Sequence, residues 1–347
     1  MRFDVIVGNP PWHKRDGGAG ASAVPLYQDF VERAQQLHPR YIAMVIPSRW
    51  MTGGRGLGEF RKAMLDDRRI SVLVDYLDSR VVFPGLGVAG GVCYFLWDAK
   101  HYSECTVVEH DQCMNKTKSQ RFLREVGLDV FVRSSVALGI LRKIADVERS
   151  NNAEQGSFAY LAKSNFSHLV SAQKPFGLRT NFRGAAEKSA GDVLVIQAKG
   201  SAWTSRSQIS QRSHLIDKWK VFTAKSSSEH AGQPNADGQR RVLSRSGVLP
   251  PGAVVTESYV AVGPFDTELE ARNCASYMAT RFFRYLVSVR SSSQDLPRSS
   301  YEFVPILDFS ETWTDAKLYE RYGLTTDEIA SIENAIASIR FEQVEID

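Results

Sequence analysis

The chain of 347 residues is long enough for two domains with buried cores, which excludes a disulfide-stapled mini-protein. An apolar share of 43% and a charged share of 24% are those of a globular protein and exclude global disorder or a coiled-coil rod. Forty-three basic residues against 39 acidic ones give a net charge of +4, so the placement of charge matters more than its sum. No apolar run approaches about 18 residues, so no membrane span is expected. The start, Met1 to Val7, has an early acid and no small-residue cleavage site, which points to a cytoplasmic address. Cys93, Cys105, Cys113 and Cys274 form no CxxC pair, so reduced thiols and no metal site are expected.

Residues 1 to 100 alternate short apolar runs with helical periods, the pattern of an α/β unit. Strands are predicted at Phe3 to Val7, Tyr41 to Ile46, Val72 to Tyr76 and Val92 to Trp97. Helices are predicted from Leu26 to Leu37 and from Glu59 to Asp67, and crossovers of this length imply parallel strands. Further on, the strand-like runs are Val193 to Gln197, Lys220 to Thr223 and Val254 to Val262. One long helix is predicted from Thr267 to Val289. Thr325 and Glu328 form a capping box ahead of Ile329, Ile332, Ile336 and Ile339, an amphipathic helix.

Asn9-Pro10-Pro11-Trp12 follows the first strand directly. Two prolines fix φ and remove backbone donors, so this corner holds its carbonyls outward as acceptors. An exocyclic amine carries two N–H bonds, one for the Asn9 carboxamide oxygen and one for the Pro10 carbonyl. Such an amine is a poor nucleophile because its lone pair is delocalised into the ring. Acceptors that draw it toward tetrahedral geometry free that pair for an electrophile. Trp12 offers a stacking face to a nucleotide taken out of its duplex. His13, Lys14 and Arg15 read as a solvated loop that can touch phosphate.

Asp4-Val5-Ile6-Val7-Gly8-Asn9-Pro10-Pro11-Trp12 resembles the catalytic motif of DNA adenine methyltransferases, which move a methyl group from S-adenosylmethionine to the amino group of adenine. Ile46-Pro47-Ser48-Arg49-Trp50 resembles the proline-containing strand end that follows, and Val81-Val82-Phe83-Pro84 the later segment whose aromatic covers the other face of the base. The order is similar to gamma-class enzymes of restriction-modification systems. The resemblance implies a site-specific, adenine-specific DNA methyltransferase with Asn9, Pro10, Pro11 and Trp12 catalytic and with Trp12 and Phe83 sandwiching the flipped base. It implies an α/β fold: the C-terminal part of a Rossmann-like methyltransferase sheet plus a mixed α+β DNA-recognition domain. The boundaries expected from it are 1–110 for a partial catalytic domain, 111–309 for target recognition and 310–347 for a helical segment.

The family's donor-binding strands normally precede this motif, which here begins at residue 4. The S-adenosylmethionine site is therefore expected to be largely missing from the chain. Gly53-Gly54-Arg55-Gly56-Leu57-Gly58 reads mainly as a connection, and Asp75 and Asp78 as a strand-end pair. An exposed apolar edge is expected at the first strand. A partner polypeptide supplying the donor-binding half, or truncation of a longer product, would account for it.

Between Lys199 and Arg245 nine basic residues stand against three acids. Arg206, Gln208, Gln211, Arg212, Lys220 and Lys225, with Arg290 and Arg298 beyond, are expected to contact double-stranded DNA, the cations at phosphates and the glutamines at base edges. Lys174 to Phe182 resembles a segment found early in such recognition domains. Two other readings stand beside this one. A restriction endonuclease component, or a nuclease partner, is suggested by Val195-Ile196-Gln197-Ala198-Lys199, which has no suitably spaced upstream Asp. A DNA-binding specificity subunit is the non-enzymatic alternative.

Overall fold

A computed structural model describes residues 3–14, 24–54, 56–110, 115–149, 158, 160–227, 235, 237–291, 294–339 and 342–343. Arg15 and Cys113 lie outside the described residues, as do Arg55 and the Ser292-Ser293 part of the run after Arg290. The chain divides into two compact units, 1–139 and 140–347. The expected boundary at 110 falls inside a hairpin of the first sheet.

In chain order the first unit contains β1 (Val5–Gly8), β2 (His13–Lys14), β3 (Val24–Pro25), α1 (Tyr27–Gln36), β4 (Tyr41–Pro47), α2 (Gly58–Asp66), β5 (Ile70–Tyr76), β6 (Val92–Asp98), β7 (Cys105–His110) and β8 (Lys116–Arg121). Six of these strands form one sheet in the order β1-β4-β6-β5-β7-β8. β1 runs parallel to β4, with Val5 opposite Tyr41. The two crossovers do set β1, β4 and β5 in one direction, as expected. However, β5 is not the neighbour of β4: β6 lies between them, antiparallel to both.

α1 and α2 cover one face. Tyr27, Val31 and Ala34 of α1 and Phe60, Met64 and Leu65 of α2 pack with Ile42, Met44, Ile46, Leu73, Phe95 and Trp97. The alternation along β4 sends Ile42, Met44 and Ile46 into this core and leaves Tyr41, Ala43 and Val45 half-buried on the other face. That second face is bare near β1, where Val7 is 75% exposed and Val5 54%.

α3 (Ser135–Val147) spans the division between the units. The second unit continues with α4 (Tyr160–Lys163), β9 (Asp192–Ile196), β10 (Ser201–Ser205), β11 (Trp219–Ala224), β12 (Ser246–Leu249), β13 (Ala253–Val255), β14 (Tyr259–Phe265), α5 (Glu268–Ala279), α6 (Arg281–Arg290), α7 (Asp315–Arg321), α8 (Thr326–Ala335) and β15 (Glu342–Gln343). Its sheets are ordered β10-β9-β13 and β14-β11-β12-β15. The fold is mixed α/β throughout.

Two expected elements are divided. The run Val254 to Val262 splits into β13 and β14, which belong to different sheets. The long helix breaks at Thr280, whose backbone is extended (φ −61°, ψ 150°). Its hydroxyl donates to the Tyr277 carbonyl (2.7 Å) and accepts from the Phe283 amide (3.1 Å), closing α5 and capping α6. The capping box at Thr325 and Glu328 forms, but α8 ends at Ala335, so Ile336 and Ile339 lie beyond it. No helix among the described residues is long and apolar enough to cross a membrane.

Candidate active site at the end of the first sheet

β1, β4, β5 and β7 point the same way, so their carboxyl ends share one edge of the sheet. Asn9 follows β1 there and its side chain is exposed, while Pro10 is buried beneath it. Asn9 Oδ1 accepts a hydrogen bond from Trp12 Nε1 at 3.1 Å. That contact fixes the carboxamide and leaves the oxygen a second lone pair. Trp12 is itself held, since its carbonyl accepts from Leu26 N (3.1 Å) ahead of α1 and the β2–β3 ladder follows. Pro11 is exposed between them, and among the described residues no backbone hydrogen bond ends on the Pro10 carbonyl.

Phe83 reaches the same place. Its ring meets Trp12 edge-on, with centroids 5.5 Å apart and planes at 71°. Phe83 is half-buried and its neighbour Val81 is 43% exposed, so this segment is surface and not core. The two rings touch, so no open slot stands between them.

Sequence reasoning missed the scaffold behind these groups. Ser79 is buried, and its carbonyl accepts from Phe83 N (2.8 Å). Its hydroxyl donates to the Leu86 carbonyl and accepts from Val88 N, both at 2.7 Å. Asp75, 3% exposed, is gripped by Arg133 (2.6 and 2.8 Å) and by the Ser48 hydroxyl (2.7 Å). Arg133, half-buried itself, also donates to the Gly90 carbonyl (2.6 Å), so its ion pair with buried Asp75 ties the ends of β4 and β5 to the turn before β6. A Cβ on Gly91 would stand 2.0 Å from the Tyr76 carbonyl oxygen, so only glycine fits that turn. The local signal for Ser79 and Gly91 was the Asp78 cap and the Gly pair ahead of an apolar strand. Arg133 is 58 residues from Asp75 and carries none. Next to this network, burial and then the Asp75 charge push the Cys93 thiol up to about 12, so it stays protonated and inert.

The described residues do not fit a donor site of their own. Asp75 is consumed inside the network, and Asp78 is held below the usual carboxylate range first by its hydrogen bond with Arg80. Gly54 (φ 97°) makes a turn packed by Leu57, and Arg61 donates to the Gly53 carbonyl (3.2 Å). Among the described residues no three metal-binding side chains cluster.

The residues expected to face DNA divide sharply. Arg206, Gln208 and Gln211 are exposed, although Arg206 pairs with Asp217 and Gln208 accepts from the Thr204 hydroxyl (3.1 Å). Half-buried Lys225 lies 3.9 Å from Glu257. Arg298 is exposed and Arg212 half-buried. Lys220 and Arg290 need correction. Lys220 is 1% exposed, with Nζ donating to the carbonyls of Leu215, Ile216 and Lys218. Arg290 is buried against Glu302 (2.9 Å) and the Phe303 ring. Both hold the fold together, because a strand or helix face directed inward takes its cations with it. In the stretch offered as a nuclease core, Gln197 is buried and Lys199 exposed, and no cluster of three metal-binding side chains forms there among the described residues.

Residues 1–83 match the family model described as Eco57I restriction-modification methylase. A Mycoplasma pneumoniae protein named an uncharacterized adenine-specific methylase is 34% identical over 110 residues, which are 31% of this chain and 26% of the relative. The chain thus spans about a quarter of the length of that curated relative. Among solved structures it is similar to the Type IIL restriction-modification enzyme MmeI in complex with DNA (12% identity, 86% of this chain, 44% of that one, TM-score 0.44). It is also similar to the type I restriction-modification methyltransferase subunit from Streptococcus thermophilus (16% identity, 35% and 29% of the two chains, TM-score 0.24).

Proposed function

From the match of residues 1–83 to the restriction-modification methylase family model, we propose that this chain is the catalytic and recognition part of a DNA methyltransferase acting on the amino group of adenine. The observation that carries the reading is the exposed Asn9 carboxamide, fixed by the Trp12 indole and flanked by Phe83 at the carboxyl end of a parallel edge strand. Asn9 Oδ1 and the Pro10 carbonyl accept the two amine hydrogens of an adenine rotated out of the duplex. Trp12 and Phe83 part to take its ring, each face worth roughly 1–3 kcal/mol. Drawn from the ring plane, the amine nitrogen presents its lone pair. The methylated amine then loses a proton to solvent, so no strong side-chain base is required.

S-adenosylmethionine would supply the methyl group and leave as the thioether S-adenosylhomocysteine, and its site is proposed to lie on strands added to β1. The helices crossing from β1 to β4 and from β4 to β5 cover the same face. Connections between parallel strands are right-handed, so strands laid progressively on the far side of β1 carry their helices on the opposite face. That is the face where Val5 and Val7 are bare. One βαβ unit would close the edge and the face together, and would make β1 the strand at which the winding reverses. Ligands sit at the carboxyl ends of strands at such a point, which is where Asn9 stands.

The second unit is proposed to hold duplex DNA through Arg206, Arg212, Lys225 and Arg298, with Gln208 and Gln211 at base edges. A restriction endonuclease is the companion activity this reading expects. Mixing the full chain with an S-adenosylmethionine-binding half of the same family should yield a complex that methylates duplex DNA, and Val7→Lys should abolish both assembly and transfer. Methyl transfer absent from the assembled complex would refute the reading.

A further inference from the structure

Within the second unit a cleft of about 170 Å³ lies between the turn after α4, β11 and β14, lined among others by His168, Pro175, Arg212, Lys220 and Arg298. It has room for about five waters at the ~30 Å³ each occupies. Two guanidinium groups face it. Arg212 is tethered by Nη1 donating to the Pro175 carbonyl (3.2 Å), and Arg298 by Nε donating to the Ser167 carbonyl (2.6 Å). Among the described residues the remaining donors of each fork have no hydrogen-bond partner.

The acids of this region are engaged elsewhere. Asp217 pairs with Arg206, Asp266 with Lys218, and Glu257 lies between Lys174 and Lys225. Among the described residues no carboxylate pairs with Arg212 or Arg298. Lys220 forms the floor of the cleft, its N–H bonds all given to carbonyls, which neutralise no charge. Asp217 offsets part of that charge, but burial dominates and pulls the amine down to about 7. Two guanidinium groups converge here with no carboxylate paired to either among the described residues, and a planar fork such as Arg presents paired donors to a phosphate.

We infer that this cleft binds one phosphate group, gripped by Arg212 and Arg298, with exposed His168 at its rim and Lys220 forming its floor. The inference rests on the DNA-binding reading of this unit only for the source of the phosphate, a duplex backbone or the free anion. Each backbone phosphate neutralised contributes about 0.9 to the slope of log affinity against log salt.

The test compares the full chain with its Arg212→Ala/Arg298→Ala variant, using a fluorescent duplex titrated over a range of salt and the 31P line width of inorganic phosphate. Both substitutions lie outside the packed core, and Arg212→Gln and Arg298→Gln give a second pair should the double variant unfold. A slope shallower by about 1 in the variant supports the site with DNA as the source. No duplex binding by either protein, with phosphate broadened by the parent and not by the variant, supports it with the free anion as the source and ends the DNA reading. Duplex binding of equal affinity and slope in both, with no broadening, overturns the site and leaves the DNA reading standing. Binding of neither ligand overturns both.

Discussion

The end of the first sheet and the basic surface of the second unit use charge in opposite ways. At the sheet end the ionic groups are spent on the scaffold: Asp75, Arg133 and Ser48 lock the strand ends, and the group left open is a neutral carboxamide. On the second unit the cations themselves are the candidate contacts, and the acids beside them decide which are open. Arg206 is answered by Asp217, whereas among the described residues Arg212 and Arg298 are tethered by carbonyls and by no carboxylate. In the proposed reaction a neutral acceptor must be held still to polarise an amine, and the Trp12 indole fixes the Asn9 carboxamide. A phosphate contact needs the converse, an unspent positive charge near solvent.

Substitutions that remove a spent charge should therefore act on stability, and those that remove an open group on binding or transfer. The largest stability effect is expected for Asp75→Ala, which leaves the Arg133 guanidinium uncompensated. A loss of about 3–5 kcal/mol in urea unfolding is expected, and a loss below 1 would show that the pair does not lock the sheet end. Gly91→Ala should follow, at about 1–3 kcal/mol, because the turn needs positive φ and has no room for a methyl against Tyr76.

Lys220 offers a pH test. An unfolded lysine keeps its proton to about 10.4, whereas the folded amine, pulled down to about 7 by burial, releases it above that pH. The unfolded chain then binds more protons, so stability rises with pH between about 7 and 10. Lys220→Met should flatten that rise, and a slope unchanged by the substitution would mean the amine is not confined as described. Smallest of all, Arg206→Ala should leave thermal unfolding unchanged and alter the salt dependence of duplex binding less than Arg212→Ala does.

The sequence made β1 and its proline corner legible because a short apolar run broken by two prolines is a local signal. Likewise α1, α2 and the Thr325 capping box follow from spacing alone. The insertion of β6 between β4 and β5 does not, since strand order is a choice among long-range pairings with equal local patterns. Thr280 reads as a helical residue until its hydroxyl is seen satisfying both helix ends. Lys220 and Arg290 show the limit of counting charges: composition registers a cation, but the carbonyls around Lys220 and the Glu302 beside Arg290 determine whether it meets solvent. The sheet-end scaffold escaped for a related reason, since Asp75 and Arg133 meet only after the intervening strand and hairpin have folded.

In the proposed reaction the Asn9 carboxamide grips an adenine amine. Single-turnover methyl transfer to duplex DNA, by the chain assembled with a donor-binding half, tests it most directly when Asn9→Ala is compared with the parent. The expected result is methyl on the exocyclic nitrogen of adenine, with a rate lowered about 10²–10³-fold by the substitution at unchanged stability. Equal rates in the two proteins would contradict it.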